Sequence, residues 1–254
     1  MILNDAIESI ASSLKRYERV QAIFLKGSMG RGEEDEYSDI DLYCLVKESE
    51  QEDFLKSRLQ HLQSYQQLLF YDEIHIVAPQ IIAVYENLVH VDLFTVTEQT
   101  YIEKDYIKIL YDPMQKLERY RQTQTLCLSG KEYQDAVDDV AWFLFQYSKA
   151  SGRGNDLWAA NMLQSVMVHL SKVLLHRYHS QRAVLGLKTV EQSLPAEITQ
   201  EIKNIYEKIT PEKHRRAVFL ICQLLSRETD WILKEVDCPE MIKAFWNRMI
   251  SLYL

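Results

Sequence analysis

No apolar run in this 254-residue chain is long enough to cross a bilayer. The longest, such as residues 217–225, fall well short of the roughly 20 residues that a membrane helix needs. The first twenty residues carry Asp5 and Glu8 and lack the basic-then-apolar layout of a secretory leader. Cysteine is scarce. Cys44, Cys127, Cys222 and Cys238 stand apart, with no CxxC pair and no histidine beside them, so neither a disulfide framework nor a thiolate metal site is expected. They read as reduced thiols used as small apolar filler. An excess of positive charge is missing too: 29 Lys and Arg stand against 37 Asp and Glu, a net charge of -8. Such a chain does not neutralise a phosphate backbone broadly, which argues against a nucleic-acid partner and leaves room for a small cationic one. No internal repeat or low-complexity tract is visible. The expected location is cytoplasmic, with no membrane partner.

What is present is ordinary for a globular protein: 47% hydrophobic and 26% charged residues. The length allows one large or two modest domains. Residues 3–18 have helical spacing through Ile7, Ile10, Ala11 and Leu14. Residues 20–26 form a β-prone run ended by Gly27. Residues 38–46 alternate, with Ile40, Leu42 and Cys44 on one face and Asp39, Asp41 and Tyr43 on the other. Helical spacing returns over 50–64, and strands are expected at 68–77, 88–96 and 107–111. From about residue 125 the pattern changes to five or six helices, punctuated by Gly152, Gly154, Gly186, Pro195, Pro211 and Pro239, with residues 157–175 apolar around most of their circumference. The expected class is α+β, with a mixed sheet flanked by helices over 1–125 and an all-α bundle over 126–254.

The stretch LKGSMGRGEEDEYSDIDLYCLV concentrates the chemistry. On a strand, Asp39 and Asp41 project from one face about 7 Å apart, so their carboxylates can converge on a cation between them. Without one they repel; a hard divalent ion such as Mg²⁺ removes that penalty. In Val89-His90-Val91-Asp92-Leu93-Phe94, Asp92 shares a face with His90 and Phe94. If that strand lies beside the first, three acids meet, enough for two ions that stabilise an in-line phosphoryl displacement. Asp72 and Glu73 are rival third acids. Gly27 permits a tight turn, Ser28 offers a hydroxyl, and the amides of residues 28–30 are expected to open a short helical turn suited to an anion. Arg31, one turn on, is placed to meet a terminal phosphate, although the acidic loop at 33–36 offers it partners as well.

Gly27-Ser28 followed by Asp39-Ile40-Asp41, with Asp92 later, resembles the nucleotidyltransferase superfamily of DNA polymerase β. A single N-terminal catalytic domain followed by helices is similar to the antibiotic nucleotidyltransferases. RGEEDEYSDIDLY, ILYDP and SGRGNDLWAANML are most like the lincosamide enzymes, and next the aminoglycoside adenylyltransferases. The resemblance implies that Asp39 and Asp41 bind the ion on the triphosphate of ATP or another NTP. Asp92 would complete the metal set and orient or deprotonate a hydroxyl, and Gly27 and Ser28 would grip the β- and γ-phosphates. It further implies a small-molecule acceptor, such as a cationic antibiotic, bound in part by the helical half, where Glu132, Asp138, Asp139 and Asp156 are candidate contacts. Either a monomer or a homodimer fits. Two rivals stay open: transfer to a protein, and a catalytically silent regulator or antitoxin-like binding protein.

Overall fold

The computed structural model describes all residues except Met1, Val77, Ile102, Glu103, Asp237, Cys238 and Pro239. The expectations for Cys238, for the Pro239 break and for a strand reaching Val77 therefore lie outside the described residues. Two compact units divide the chain, 1–125 and 126–254. No helix among the described residues is long and apolar enough to cross a membrane.

The first unit runs α1 (Ile2–Lys15), β1 (Val20–Leu25), α2 (Gly27–Arg31), β2 (Ile40–Val46), α3 (Gln51–Leu62), β3 (Leu68–His75), β4 (Pro79–Tyr85), β5 (His90–Val96) and β6 (Lys108–Tyr111). The strands make one mixed sheet in the order β3-β4-β5-β2-β1-β6. Only β2 and β5 pair in parallel; β1–β2, β1–β6, β3–β4 and β4–β5 are antiparallel. The α+β class read from the sequence holds.

Alternation sorts the two faces of the sheet. Ile40, Leu42 and Cys44 of β2 and Val91 and Leu93 of β5 are buried in one cluster with Ile7, Ile10 and Leu14 of α1 and Phe54 and Leu62 of α3. The other face carries a smaller cluster in which Phe24 and Leu45 meet Tyr101, Leu117 and Tyr120. Rings line that second face: Tyr43 stacks between Phe24, at 5.2 Å, and Phe94, at 4.4 Å. This ladder spans β1, β2 and β5 and fixes their mutual register beneath the polar end of the sheet.

β4 is the strand that periodicity missed. Its segment PQIIAVY opens on a proline and does not alternate in hydrophobicity, although Gln80, Ile81, Ala83 and Tyr85 are all buried. The β4–β5 connection turns through Leu88 in the left-handed region (φ 61°), with Leu88 N–H donating to the Tyr85 carbonyl at 2.8 Å and Val89 N–H to Asn87 Oδ1 at 3.2 Å. That hairpin delivers His90 as the first residue of β5.

The second unit runs α4 (Gly130–Gly152), α5 (Asp156–Tyr178), α6 (Val190–Ser193), α7 (Ala196–Tyr206), α8 (His214–Lys234) and α9 (Glu240–Ser251), with a 3₁₀ stretch over Ser180–Thr189. The central position expected for residues 157–175 is observed: Leu163, Val166, Met167, Leu170, Val173 and Leu174 are all buried, packed with Val137, Val140 and Leu144 of α4 and Ile221 and Leu225 of α8. Ser129 and Glu132 form a capping box at the start of α4, and Asn155 Oδ1 accepts from Trp158 N–H at 3.2 Å at the start of α5.

α2 is pressed against the segment leading into β6. A Cβ at Gly30 would lie 2.5 Å from the Tyr106 carbonyl oxygen and 3.0 Å from that of Leu25. Gly30→Ala must therefore displace backbone, and it is expected to destabilise the protein by about 1–3 kcal/mol, the range of overpacking. Urea unfolding checks this; a midpoint equal to wild type would show that the two segments are not in this contact.

Candidate active site

β1 ends at Leu25, and the chain turns through Lys26 and Gly27 directly into α2. Gly27 has φ 61°, and a Cβ there would sit 2.0 Å from Asp41 Oδ2, so only glycine lets the turn lie against that carboxylate. Lys26 N–H donates to the Asp41 carbonyl at 3.0 Å, which ties the same two positions through the backbone. The expected short helical turn at the serine is α2, with Ser28 half-buried in its first turn.

Asp41 of β2 and Asp92 of β5 are register partners in the parallel pair, and both are half-buried while their neighbours Ile40, Leu42, Val91 and Leu93 are buried. The two acids therefore share one face of the sheet, on adjacent strands about 4.8 Å apart. Asp39 differs from the sequence expectation: β2 begins at Ile40, so Asp39 is an exposed residue just ahead of the strand. The cause is a local turn, in which Asp35 Oδ1 accepts from Tyr37 N–H at 3.0 Å and from the Ser38 hydroxyl at 3.1 Å. Asp39 still reaches the site. One ligand atom each from Asp39, His90 and Asp92 lie within 4.8 Å of one another. Two carboxylates and an imidazole in that space make a donor set that fits a divalent cation.

His90 Nε2 lies 3.1 Å from Asp92 Oδ1. That hydrogen bond, aided by the charges of Asp92, Asp39 and Asp41 and opposed by burial, raises the imidazole above its ordinary range. A second cation borders the acids. The Lys26 side chain is 9% exposed, and its ammonium lies 5.3 Å from the ring centres of both Tyr43 and Tyr101. Burial lowers its pKa, while Asp105 and Asp41 favour its charged form.

Arg31 is not held open for a phosphate as its sequence position suggested. Its guanidinium donates to Glu33 Oε2 at 2.9 Å and to Asp105 Oδ2 at 2.6 Å, clamping α2 to the 105–106 segment. Two carboxylates within its reach engage the fork, and a phosphate would have to compete with them for it. The rival acid Glu73 faces the other way, toward α3, where Arg58 donates to it at 3.1 Å. Asp72 lies on β3, two strands away from β5. In the helical unit, Glu132 belongs to the cap of α4, Asp138 accepts from Gln134 at 2.7 Å, Asp139 meets His169 at 3.2 Å and Asp156 meets His214 at 3.0 Å. Each of these candidate acceptor contacts has a partner within its own unit.

A cleft of about 890 Å³ opens beside Asp39 and His90, lined among others by Glu34, Asp35, Glu36 and Tyr37. Sequence reasoning did not assign roles to His90, Lys26 or Asp105. The His-x-Asp alternation made the first legible, whereas nothing local marks the partners of a buried lysine or an acid 74 residues from Arg31.

Residues 8–91 match the family "Polymerase beta, Nucleotidyltransferase". The matched span includes Gly27, Ser28, Asp39, Asp41 and His90 and ends one residue before Asp92. No curated protein matches the chain. Among solved structures, an aminoglycoside 6-adenyltransferase from Bacillus subtilis aligns at 11% identity and TM-score 0.41, covering 98% of each chain. A nucleotidyltransferase-like protein from Exiguobacterium sibiricum aligns at 12% identity and TM-score 0.41, covering 93% of this chain and 81% of that one. Terminal uridylyl transferase 4 from Trypanosoma brucei aligns at 10% and 0.38, covering 88% and 68%. Likenesses this remote do not bear on the acceptor.

The His90–Asp92 pair makes stability depend on pH in a defined direction. A histidine whose folded pKa is raised contributes stability that is fully present below its unfolded value, about 6.5, and is lost as pH rises through the folded value. In metal-free protein, wild type should therefore exceed His90→Gln in thermal stability by more at about pH 5.5 than at about pH 8. An equal difference at both would remove the charged pair from the account.

Proposed function

We propose that the protein is a nucleotidyltransferase that moves a nucleoside monophosphate, AMP from ATP in the simplest case, onto a hydroxyl of a small cationic acceptor of antibiotic type. The observation that carries this reading is the parallel register of Asp41 with Asp92 beside the Gly27-Ser28 turn, with Asp39 and His90 clustered at Asp92. Parallel pairing sets Asp41 next to Asp92, and Gly27 lies against the Asp41 carboxylate. The family match over residues 8–91 supports the reaction class.

In this reading Asp39, Asp41 and Asp92 hold Mg²⁺. The bound ion would neutralise phosphate charge and stabilise the attacking and leaving oxygens of the displacement. Gly27 and Ser28 bind the β- and γ-phosphates through backbone amides and the serine hydroxyl. Asp92 orients the acceptor hydroxyl and takes its proton. The hydroxyl oxygen forms a bond to the α-phosphorus, the bond from that phosphorus to the β-phosphate oxygen breaks, and pyrophosphate departs with the electron pair. Positioning and electrostatics supply the rate, as phosphoryl transfer requires. The acidic wall Glu34, Asp35 and Glu36 of the neighbouring cleft favours a cationic acceptor. Aminoglycosides meet that requirement better than lincosamides, which carry less positive charge.

The test is incubation with ATP, Mg²⁺ and a panel of aminoglycosides and lincosamides, followed by mass spectrometry. The expected product is the acceptor plus one nucleoside monophosphate. Asp41→Asn should lower the rate by roughly 10²–10³-fold or more, the scale of losing a preorganised charge-stabilising group, while folding normally. No transfer to any acceptor, together with no stabilisation by ATP and Mg²⁺ in thermal unfolding, would favour the silent binding protein instead.

A further inference from the structure

We propose that His90 is a nitrogen ligand of the cation held by Asp39 and Asp92, and that it tilts this position toward a divalent transition ion such as Mn²⁺ over Mg²⁺. The inference rests on the reading that these acids bind a cation and goes beyond it, since three carboxylates alone would give an all-oxygen site.

The geometry is that of ligation. Two ligands at right angles on an ion about 2.1 Å away stand about 3.0 Å apart. The His90 Nε2–Asp92 Oδ1 separation is 3.1 Å, and one ligand atom each from Asp39, His90 and Asp92 lie within 4.8 Å of one another. An ion can therefore take the place of the proton between these two atoms, with Asp39 as the third ligand. The nitrogen is also held in place. The Tyr85–Val89 hairpin fixes where β5 starts, and strand alternation puts His90 on the same face as Asp92. Mg²⁺ prefers oxygen ligands and keeps its waters, whereas imidazole suits transition ions. A histidine at this point therefore discriminates between ions in a way that an aspartate would not.

His90 has one competing role: it could act only by holding Asp92 through the hydrogen bond. Electron spin-echo spectroscopy of Mn²⁺ bound to the full-length, nucleotide-free protein separates the two. Wild type should show modulation from a directly bound imidazole nitrogen. His90→Gln should lose that signal and weaken Mn²⁺ binding at least about tenfold. Its Mg²⁺ affinity, read by competition, should change by no more than about threefold. His90 is half-exposed, so the variant is expected to fold, with circular dichroism as the check and His90→Asn as a second variant. Bound Mn²⁺ that Asp39→Asn weakens but that shows no nitrogen modulation would overturn the role of His90 alone. Equal weakening of both ions in His90→Gln would do the same and leave it a positioning residue. Failure of wild type to bind either ion would overturn the cation site, and this inference with it.

Discussion

The parallel pairing of β2 with β5 is the constraint on which the site depends. It places Asp41 beside Asp92 on one sheet face, and like charges directly across a strand pair cost roughly 0.2–1 kcal/mol rather than stabilising. Pleating leaves the arrangement no escape: sliding either strand by one residue would bury its acid against α1 and α3 and expose Leu42 or Leu93. The hydrophobic face therefore holds the two carboxylates together, and the aromatic ladder of Phe24, Tyr43 and Phe94 locks the same three strands on the other side.

The rest of the unit reads as a response to that concentration of negative charge. Lys26 sits at the end of β1 with its ammonium over two rings and its charge favoured by Asp41 and Asp105. His90 shares a proton with Asp92. Asp105 in turn anchors Arg31, so the turn that follows β1 is clamped to the segment before β6, and Gly30 allows the two backbones to meet. Lys26 and the His90 imidazole thus stand against the acids and offset part of their mutual repulsion.

Much of this was legible in the sequence because it rests on local periodicity. Alternation in IDLYCLV and HVDLFTV sorted Asp41 and Asp92 from Leu42 and Leu93 correctly, and Gly27-Ser28 marked the turn. The switch to helical spacing after residue 125 marked the all-α half. What escaped depends on long-range or local turn geometry. Pro79 and an uninterrupted apolar run hid β4, whose half-buried face is visible only once β3 and β5 flank it. The turn made by Asp35 and Ser38 delays the strand by two residues and leaves Asp39 ahead of it. Arg31 looked available because Asp105, its partner, lies 74 positions away.

In the proposed reaction Asp39, Asp41, Asp92 and the Gly27-Ser28 turn form one receptor for a metal-bound triphosphate. The most direct test is a crystal structure with a non-hydrolysable ATP analogue and Mn²⁺, read by anomalous scattering. Anomalous density is expected among Asp39, Asp41 and Asp92, with the analogue's phosphates against residues 27–28. Nucleotide bound elsewhere, or an ion that none of these three residues touches, would contradict it.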